Sequence, residues 1–375
     1  MKKIRLSKSF VGEEEKSALS RVIDAGYLGM GVEVQLFEKE IKDYLKTSNE
    51  VICVGSGTAA LHLALQAIGV GPGDEVLVPT ITYLATFQAV SATGAKPIAC
   101  DVTKESVFID LEDAAKRLTI KTKAILPVHY GSNSEGMVEL KKFADKYNIR
   151  IIEDAAHSFG CESDGNKVGA FGDITCFSFD GIKNITSGEG GAVVTGDLEV
   201  AKRVKDSRLL GVEKDTEKRY LGERSWEFNV SSQGWRYHMS NLMAAIGREQ
   251  LKKVEEFSRA RKKVAELYTD GLLNLENITL FKFNYSNIVP HIFPLRITNG
   301  LRDKIRGELA NNSIECGIHY SPNHLLSLYR TEYTLPKAEA LYGELLSLPM
   351  HVDLVEADIR QIINIIVKAI DVRKT

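Results

Sequence analysis

The sequence is poor in covalent staples. Its five cysteines, Cys53, Cys100, Cys161, Cys176 and Cys316, are odd in number and form no C-x-x-C pair. That excludes a disulfide framework and a thiolate zinc site, and no metal is expected. Reduced, buried thiols in a reducing compartment are the expectation. Charge of one sign is lacking too. Lys plus Arg number 48 against 50 Asp plus Glu, a net charge of −2, so there is no basic surplus of the kind that nucleic-acid phosphates demand, and no nucleic-acid partner is expected. Long apolar runs are missing. The stretch Ile362 to Ile370 falls far short of the roughly 20 residues that span a bilayer, so no membrane partner is expected. Met1 to Glu15 reaches Glu13-Glu14-Glu15 without an apolar core, which argues against a secretory leader and predicts a soluble, cytoplasmic protein. What remains is an ordinary globular composition, 44% hydrophobic and 26% charged over 375 residues, long enough for a large core and two or three domains. No internal repeat or low-complexity segment interrupts it.

The first half alternates between two periods. Val51 to Val54 is a short apolar run, and Thr58 to Ile68 carries Ala60, Leu61, Ala64, Leu65 and Ile68 at helical spacing. Gly69, Gly71, Pro72 and Gly73 break the chain. Strand-like Glu75 to Val78, Pro97 to Cys100, Ala124 to Val128 and Ile149 to Ile152 then alternate with helix-like Tyr83 to Ala92, Leu111 to Leu118 and Val138 to Tyr147. Such alternation predicts an α/β fold, a largely parallel sheet covered on both faces by helices. Ile174 to Phe179 and Gly191 to Val194 are separated by a glycine-rich loop with no room for a crossover helix, so at least one antiparallel strand is expected there. Ser240 is placed to cap a long amphipathic helix running through Leu251 toward Leu267. That helix suits a bridge from a large domain, 1–245 with an N-terminal helical segment, to a smaller α+β domain, 246–375. Within the latter, helices flank strand candidates such as Ile292 to Arg296.

Three constellations carry chemistry. Gly55-Ser56-Gly57-Thr58-Ala59-Ala60 lies between a strand and a helix, where small residues and free N–H groups suit a phosphate. It also reads as a plain tight turn, or as the dinucleotide fingerprint of a nicotinamide-dependent oxidoreductase. The latter wants an acid at the end of the next strand, which Val76-Leu77-Val78-Pro79-Thr80 does not supply. In Glu153-Asp154-Ala155-Ala156-His157 a carboxylate ends a buried strand and small neighbours leave room for something flat, although Asp154 could merely cap a turn and His157 could be structural. Ser178 to Gly191 sets Lys183 in a glycine-rich loop just after an apolar strand. Most lysines are solvated. One partly removed from water gives up its proton more readily, and its neutral amine can attack a carbonyl.

Taken together the segments GSGTAALHLAL (55–65), PTITYLAT (79–86), PVHYG (127–131), EDAAH (153–157), FSFDGIKN (177–184), GEGGA (188–192), GWRYHMSNLMAAIG (234–247) and GIHYSPNH (317–324) resemble, in order and over nearly the whole chain, the DegT/StrS aminotransferases. These are fold-type-I enzymes that use pyridoxal phosphate on nucleotide-linked keto sugars. The resemblance implies that Lys183 condenses with the cofactor's aldehyde and shuttles protons, and that Asp154 pairs with the protonated ring nitrogen, which keeps the ring an electron sink. It implies that Tyr83 stacks on the ring and His157 lies near its phenolic oxygen. The phosphate would rest on the backbone of Gly57, Thr58 and Ala59 and the hydroxyl of Ser178. Many relatives carry an asparagine after the G-aromatic pair that reaches the phosphate of the partner subunit. Here Arg236 stands in that place, implying a homodimer with shared sites in which an arginine fork takes over or pairs elsewhere. His319 and Tyr320 are the candidates for the sugar nucleotide, with ordinary turn and core roles as the alternative. Related 3-dehydratases have histidine where Lys183 stands, so the lysine implies transamination. The donor would be L-glutamate and the acceptor a nucleoside-diphosphate 4-keto-6-deoxyhexose, with a 3-keto isomer as the near alternative. A pyridoxal-binding regulator without turnover is a more distant one. An amino-sugar product would serve surface polysaccharide assembly.

Overall fold

Short runs of Val, Ile and Ala that are buried on both faces cannot be amphipathic strands; they belong in the middle of a sheet sandwiched by helices. The computed structural model describes residues 3–163, 165–224 and 226–371, and in it these runs form a seven-stranded sheet. Its strands are β1 (Glu50–Val54), β2 (Glu75–Pro79), β3 (Lys96–Cys100), β4 (Thr122–Ile125) and β5 (Arg150–Asp154), then, beyond a two-residue hairpin β6 (Glu162–Ser163) and β7 (Asn166–Lys167), β8 (Ile174–Ser178) and β9 (Gly191–Thr195). The order is β1-β9-β8-β5-β4-β2-β3. β9 runs antiparallel to both β1 and β8, and every other pairing is parallel. This is the mostly parallel mixed sheet expected, with the antiparallel strand where the short glycine loop required it. The strand expected over 124–128 ends at Ile125, and Val128 rejoins the sheet only as an isolated bridge to Asp154.

Helices α2 (Val32–Leu45), α3 (Gly57–Ala67), α4 (Leu84–Ala92), α5 (Leu111–Arg117), α6 (Met137–Tyr147) and α7 (Leu198–Ser207) pack on the sheet, while α1 (Glu13–Asp24) and α8 (Asp215–Tyr220) pack on other helices. α3 is buried nearly all round through Ala60, Leu61, Leu63, Ala64 and Leu65, as a central helix lying on strands must be. The helix expected from Ser240 is two helices, α9 (Asn241–Lys252) and α10 (Val254–Leu272), joined at Lys253. Ser240 does cap the first, its Oγ accepting from the Met243 amide. α10 leads to a three-stranded antiparallel sheet, β10 (Ile278–Leu280), β11 (Phe293–Ile297) and β12 (Leu345–Leu348). With α11 (Arg302–Asn311) and α13 (Glu356–Asp371) this sheet encloses a second core of Tyr268, Phe293, Leu295, Ile305 and Ile362. α12 (Pro336–Glu344) packs Leu335, Ala338 and Leu341 back into the larger core, so the C-terminal chain grips both halves.

β1 and β8 are both antiparallel to β9 and therefore point the same way as β5. Their carboxyl ends lie along one sheet edge, where open α/β sheets leave a crevice for ligands. That edge carries Ser56, Asp154 and Ser178.

Candidate active site

A cavity of about 600 Å³ opens at this edge, a volume suited to a cofactor-sized molecule. One wall is the start of α3. The Ser56 side chain caps the helix by accepting the Ala59 amide at 3.1 Å. Ala59, expected in the phosphate cradle, does not line the cavity and gives its N–H to Ser56, so the Gly57 and Thr58 end of the turn is what faces the cavity. Gly57 has a steric reason to be glycine, since a Cβ there would lie 2.8 Å from the Ser178 Cβ. Its absence lets the helix start and the β8 end stand side by side, with the Ser178 hydroxyl beside the helix's positive pole.

Asp154 forms the floor. Its Oδ2 accepts from the Thr86 hydroxyl at 2.8 Å and its Oδ1 from the Ala156 amide at 3.2 Å. Each oxygen keeps a lone pair for one further donor. Burial pushes the carboxyl's pKa up against the opposing pull of these donors and of Lys183. A buried carboxylate short of a cation is what a protonated ring nitrogen would satisfy.

Lys183 reaches the same cavity from the loop after β8. Its amide closes a turn on the Asp180 carbonyl at 3.1 Å. The next residue, Asn184, pins the loop by donating to the carbonyls of His157, Phe159 and Val289. Burial lowers the lysine's affinity for its proton, with the charges of Asp154 and Asp180 opposing. The Nζ atom stands 3.5 Å from His291 Nε2. The rings of His291 and His157 lie 4.3 Å apart, and His157 Nε2 is 3.0 Å from the Tyr320 hydroxyl. Burial, and then the Lys183 charge, hold both imidazoles well below their ordinary pKa, so they are neutral. His319 follows, down to about 4 for the same two reasons, and its Nδ1 is 2.8 Å from Ser347 Oγ. Tyr83, the residue before α4, is largely exposed at the mouth with its ring 5.8 Å from that of Tyr320.

Of the residues singled out in the sequence, Gly57, Thr58, Tyr83, Asp154, His157, Ser178, Lys183, His319 and Tyr320 all line this cavity. Arg236 does not. It lines a separate pocket of about 120 Å³ with Leu209, Arg219, Phe228 and His238, and no arginine lines the Lys183 cavity among the described residues. Thr86 and His291 escaped the sequence reading. Thr86 closes the PTITYLAT segment, so the signal was present but its reach to Asp154 was not. His291 sits in an apolar run that reads as core.

A profile of the DegT/DnrJ/EryC1/StrS aminotransferase family matches residues 10–367. The chain belongs to this family. Its motifs and the shape of its cavity therefore have one explanation, and the nicotinamide reading of Gly55 to Ala60 falls away. Over 375 residues this aminotransferase is 31% identical to the dTDP-4-dehydro-2,3,6-trideoxy-D-glucose 4-aminotransferase of Saccharopolyspora spinosa, covering 98% of this chain and 97% of that one. It is 31% identical to the spore coat polysaccharide biosynthesis protein SpsC of Bacillus subtilis, covering 94% of each. Among solved structures, the aminotransferase TlmJ of Streptoalloteichus hindustanus superposes with a TM-score of 0.92 at 29% identity, over 99% of this chain and 100% of that one. The PLP-form of Spr1654 from Streptococcus pneumoniae superposes at 0.91 with 26% identity, over 98% of each. The protein is a pyridoxal-phosphate-dependent sugar aminotransferase of the fold-type-I class. The cavity fits that cofactor at three points: an amine of lowered proton affinity, a buried carboxylate with a free lone pair, and a glycine-relieved helix start.

Proposed function

We propose that this aminotransferase moves the amino group of L-glutamate to C4 of a nucleoside-diphosphate 4-keto-6-deoxyhexose, giving an NDP-4-amino-4,6-dideoxyhexose. The observation that carries the site assignment is the meeting of the Lys183 amine and the Asp154 carboxylate in one cavity whose far wall is a helix N-terminus. Bound pyridoxal phosphate supplies an electron-withdrawing ring that stabilises negative charge at the donor's Cα. In our reading Asp154 keeps the proton on the ring nitrogen, and Thr86 and Ala156 fix the carboxylate's orientation. Lys183 would hold the cofactor through Nζ and take and return a proton there, a role eased by the burial that lowers its proton affinity. The Gly57 and Thr58 amides and the Ser178 hydroxyl hold the phosphate, Tyr83 covers the ring, and His157 with Tyr320 borders its phenolic edge. His319 and Tyr320 face the sugar nucleotide.

The phosphate end offers amides and hydroxyls, but no arginine lines this cavity among the described residues. We assign the missing cation to Arg236 of a second copy, in a cytoplasmic homodimer with shared sites. C4 is preferred over C3 because the S. spinosa relative is named as a 4-aminotransferase; a surface polysaccharide is the destination we favour, in keeping with the name of SpsC. The test is incubation with L-glutamate and a panel of dTDP-, UDP-, GDP- and CDP-linked 3-keto and 4-keto 6-deoxyhexoses, with products read by NMR. Nitrogen at C4 is expected. Amination only at C3 would overturn the regiochemistry and leave the enzyme class intact.

A further inference from the structure

α10 carries the basic run Arg259, Arg261, Lys262 and Lys263, which reads as a solvated face. One member of the run points the other way. Arg261 shares the buried stripe of Phe257, Ser258, Val264, Ala265 and Tyr268 and is only 3% exposed. A guanidinium in such a place normally has a carboxylate beside it. Arg261 has none in any ion pair among the described residues. It donates instead to carbonyls: Nη1 to Pro290 at 3.2 Å, His291 at 3.4 Å and Met350 at 3.4 Å, and Nη2 to Lys183 at 3.5 Å. Lys183, His291 and Met350 all line the cavity. The Arg261 Nε atom is buried without a partner.

We propose that Arg261 is a positioning residue for the Lys183 amine: one fork ties together the loop that carries Nζ, the segment that carries the facing His291 imidazole and the chain after β12, and it leaves an uncompensated positive charge behind them. The planar fork is what makes this possible, since a lysine cannot hold several carbonyls at fixed angles. Removing a buried cation of this kind by mutation, without an anion to unmask, lets nearby groups hold protons more tightly.

Burial lowers Arg261's own proton affinity to about 10, still far above neutrality, so the charge persists at working pH. It helps to keep His291 uncharged, behind burial, Lys183 and His157, and it acts on His351 in the same direction. The titratable groups that share the cavity with Lys183 include Asp154 at the end of β5, Asp180 and Glu189 in its own loop, His157 after β5, His291 before β11, His319 and Tyr320 after α11, and Tyr83 before α4. Among the described residues no arginine, and no lysine but Lys183, lines the cavity beside the three carboxylates Asp154, Asp180 and Glu189, which gives the charge of Arg261 a role that burial alone does not fill.

The proposal rests on Lys183 being the cofactor-bearing lysine, and the experiment separates the two. Arg261→Gln removes the charge and keeps one donor; Arg261→Lys keeps the charge and loses the fork. For each holoenzyme the visible band is titrated against pH, and the half-reaction with L-glutamate is timed by stopped flow. R261Q is expected to raise the midpoint of the band by about half to one unit. R261K is expected to leave the midpoint in place while slowing the half-reaction about tenfold. A wild-type midpoint in R261Q, or a wild-type rate in R261K, overturns the proposal. Should R261Q fail to fold, the R261K rate alone decides. Borohydride reduction and peptide mapping of the wild type must place the cofactor on Lys183. A label elsewhere defeats the site reading and this proposal with it, whereas a Lys183 label with an unmoved R261Q midpoint defeats the proposal alone.

Discussion

Thr86 on the first turn of α4 gives its hydroxyl hydrogen to the Asp154 carboxylate at the end of β5, 2.8 Å away, and the Thr82 hydroxyl stands 2.8 Å behind it. Both threonines are buried. The pair makes a short relay that holds a buried anion in one orientation, and a hydrogen bond to a charged group is worth about 1.5–3 kcal/mol.

Thr86→Val keeps the shape of the side chain and deletes the donor. Asp154 then holds its charge less well and turns more freely. The half-reaction with L-glutamate is expected to slow by about tenfold or more, the lower figure corresponding to ~1.4 kcal/mol. Asp154→Asn should slow it further, because the charge itself is lost. Stopped-flow absorbance reads both rates. A Thr86→Val enzyme at full speed would remove Thr86 from the account.

Gly57→Ala tests the phosphate wall. The added methyl would stand 2.8 Å from the Ser178 Cβ and 3.1 Å from its Oγ, so the helix start and the strand end must separate. Overpacking of this kind costs about 1–3 kcal/mol, and here the strain falls on the two groups that would hold the anion. Affinity for pyridoxal phosphate is expected to drop about tenfold or more, measured by fluorescence titration of the cofactor-free protein. Unchanged affinity would place the phosphate elsewhere.

What the chain discloses on its own is mostly local. The alternation of Val-rich runs with 3.6-period segments is enough to foresee a parallel sheet, and the short glycine loop between Phe179 and Gly191 leaves β9 no choice but to turn back. Asp154 and Ser178 stand out because each closes a strand, and Lys183 because it follows one in a glycine-rich loop. The rest depends on contacts between distant residues. Ala59 reads as part of a phosphate cradle until Ser56 is seen to have claimed its amide. Arg261 and His291 read as a surface cation and a core residue, because nothing within ten positions of either names Lys183 as a neighbour. The break at Lys253 likewise falls within a continuous amphipathic pattern, with α9 packed on α1 and α2 and α10 on α13.

Acid is expected to destabilise the protein through two partly buried histidines. Burial holds His319 and His238 at about 4, against an ordinary 6.5. Between those values the unfolded chain binds more protons than the folded one, so stability rises with pH across the window, is complete above about 6.5 and is lost as pH falls toward 4. His319 alone contributes at most roughly 3 kcal/mol to that loss at pH 4. Denaturant unfolding of the cofactor-free protein from pH 4 to 7 should show the slope, and His319→Gln should flatten it. A slope that His319→Gln leaves untouched would mean that His319 takes up its proton without strain.

Arg236 offers the sharpest test of the shared site, because its own protomer gives it nothing to do in the Lys183 cavity. If each site takes its lysine from one copy and its arginine from the other, Lys183→Ala and Arg236→Ala damage different halves of the same site. Each variant alone should be severely impaired, the first for want of the amine and the second for want of a phosphate anchor. When the two are mixed and allowed to exchange subunits, half of the dimers pair one of each kind. In those, one site draws its intact lysine from the Arg236→Ala copy and its intact arginine from the Lys183→Ala copy, while the other site loses both. One site in two, in half of the dimers, predicts recovery to roughly a quarter of wild-type activity. A mixture no more active than its components would place Arg236 in its own protomer's surface, and the cation for the phosphate would have to be sought elsewhere on the partner.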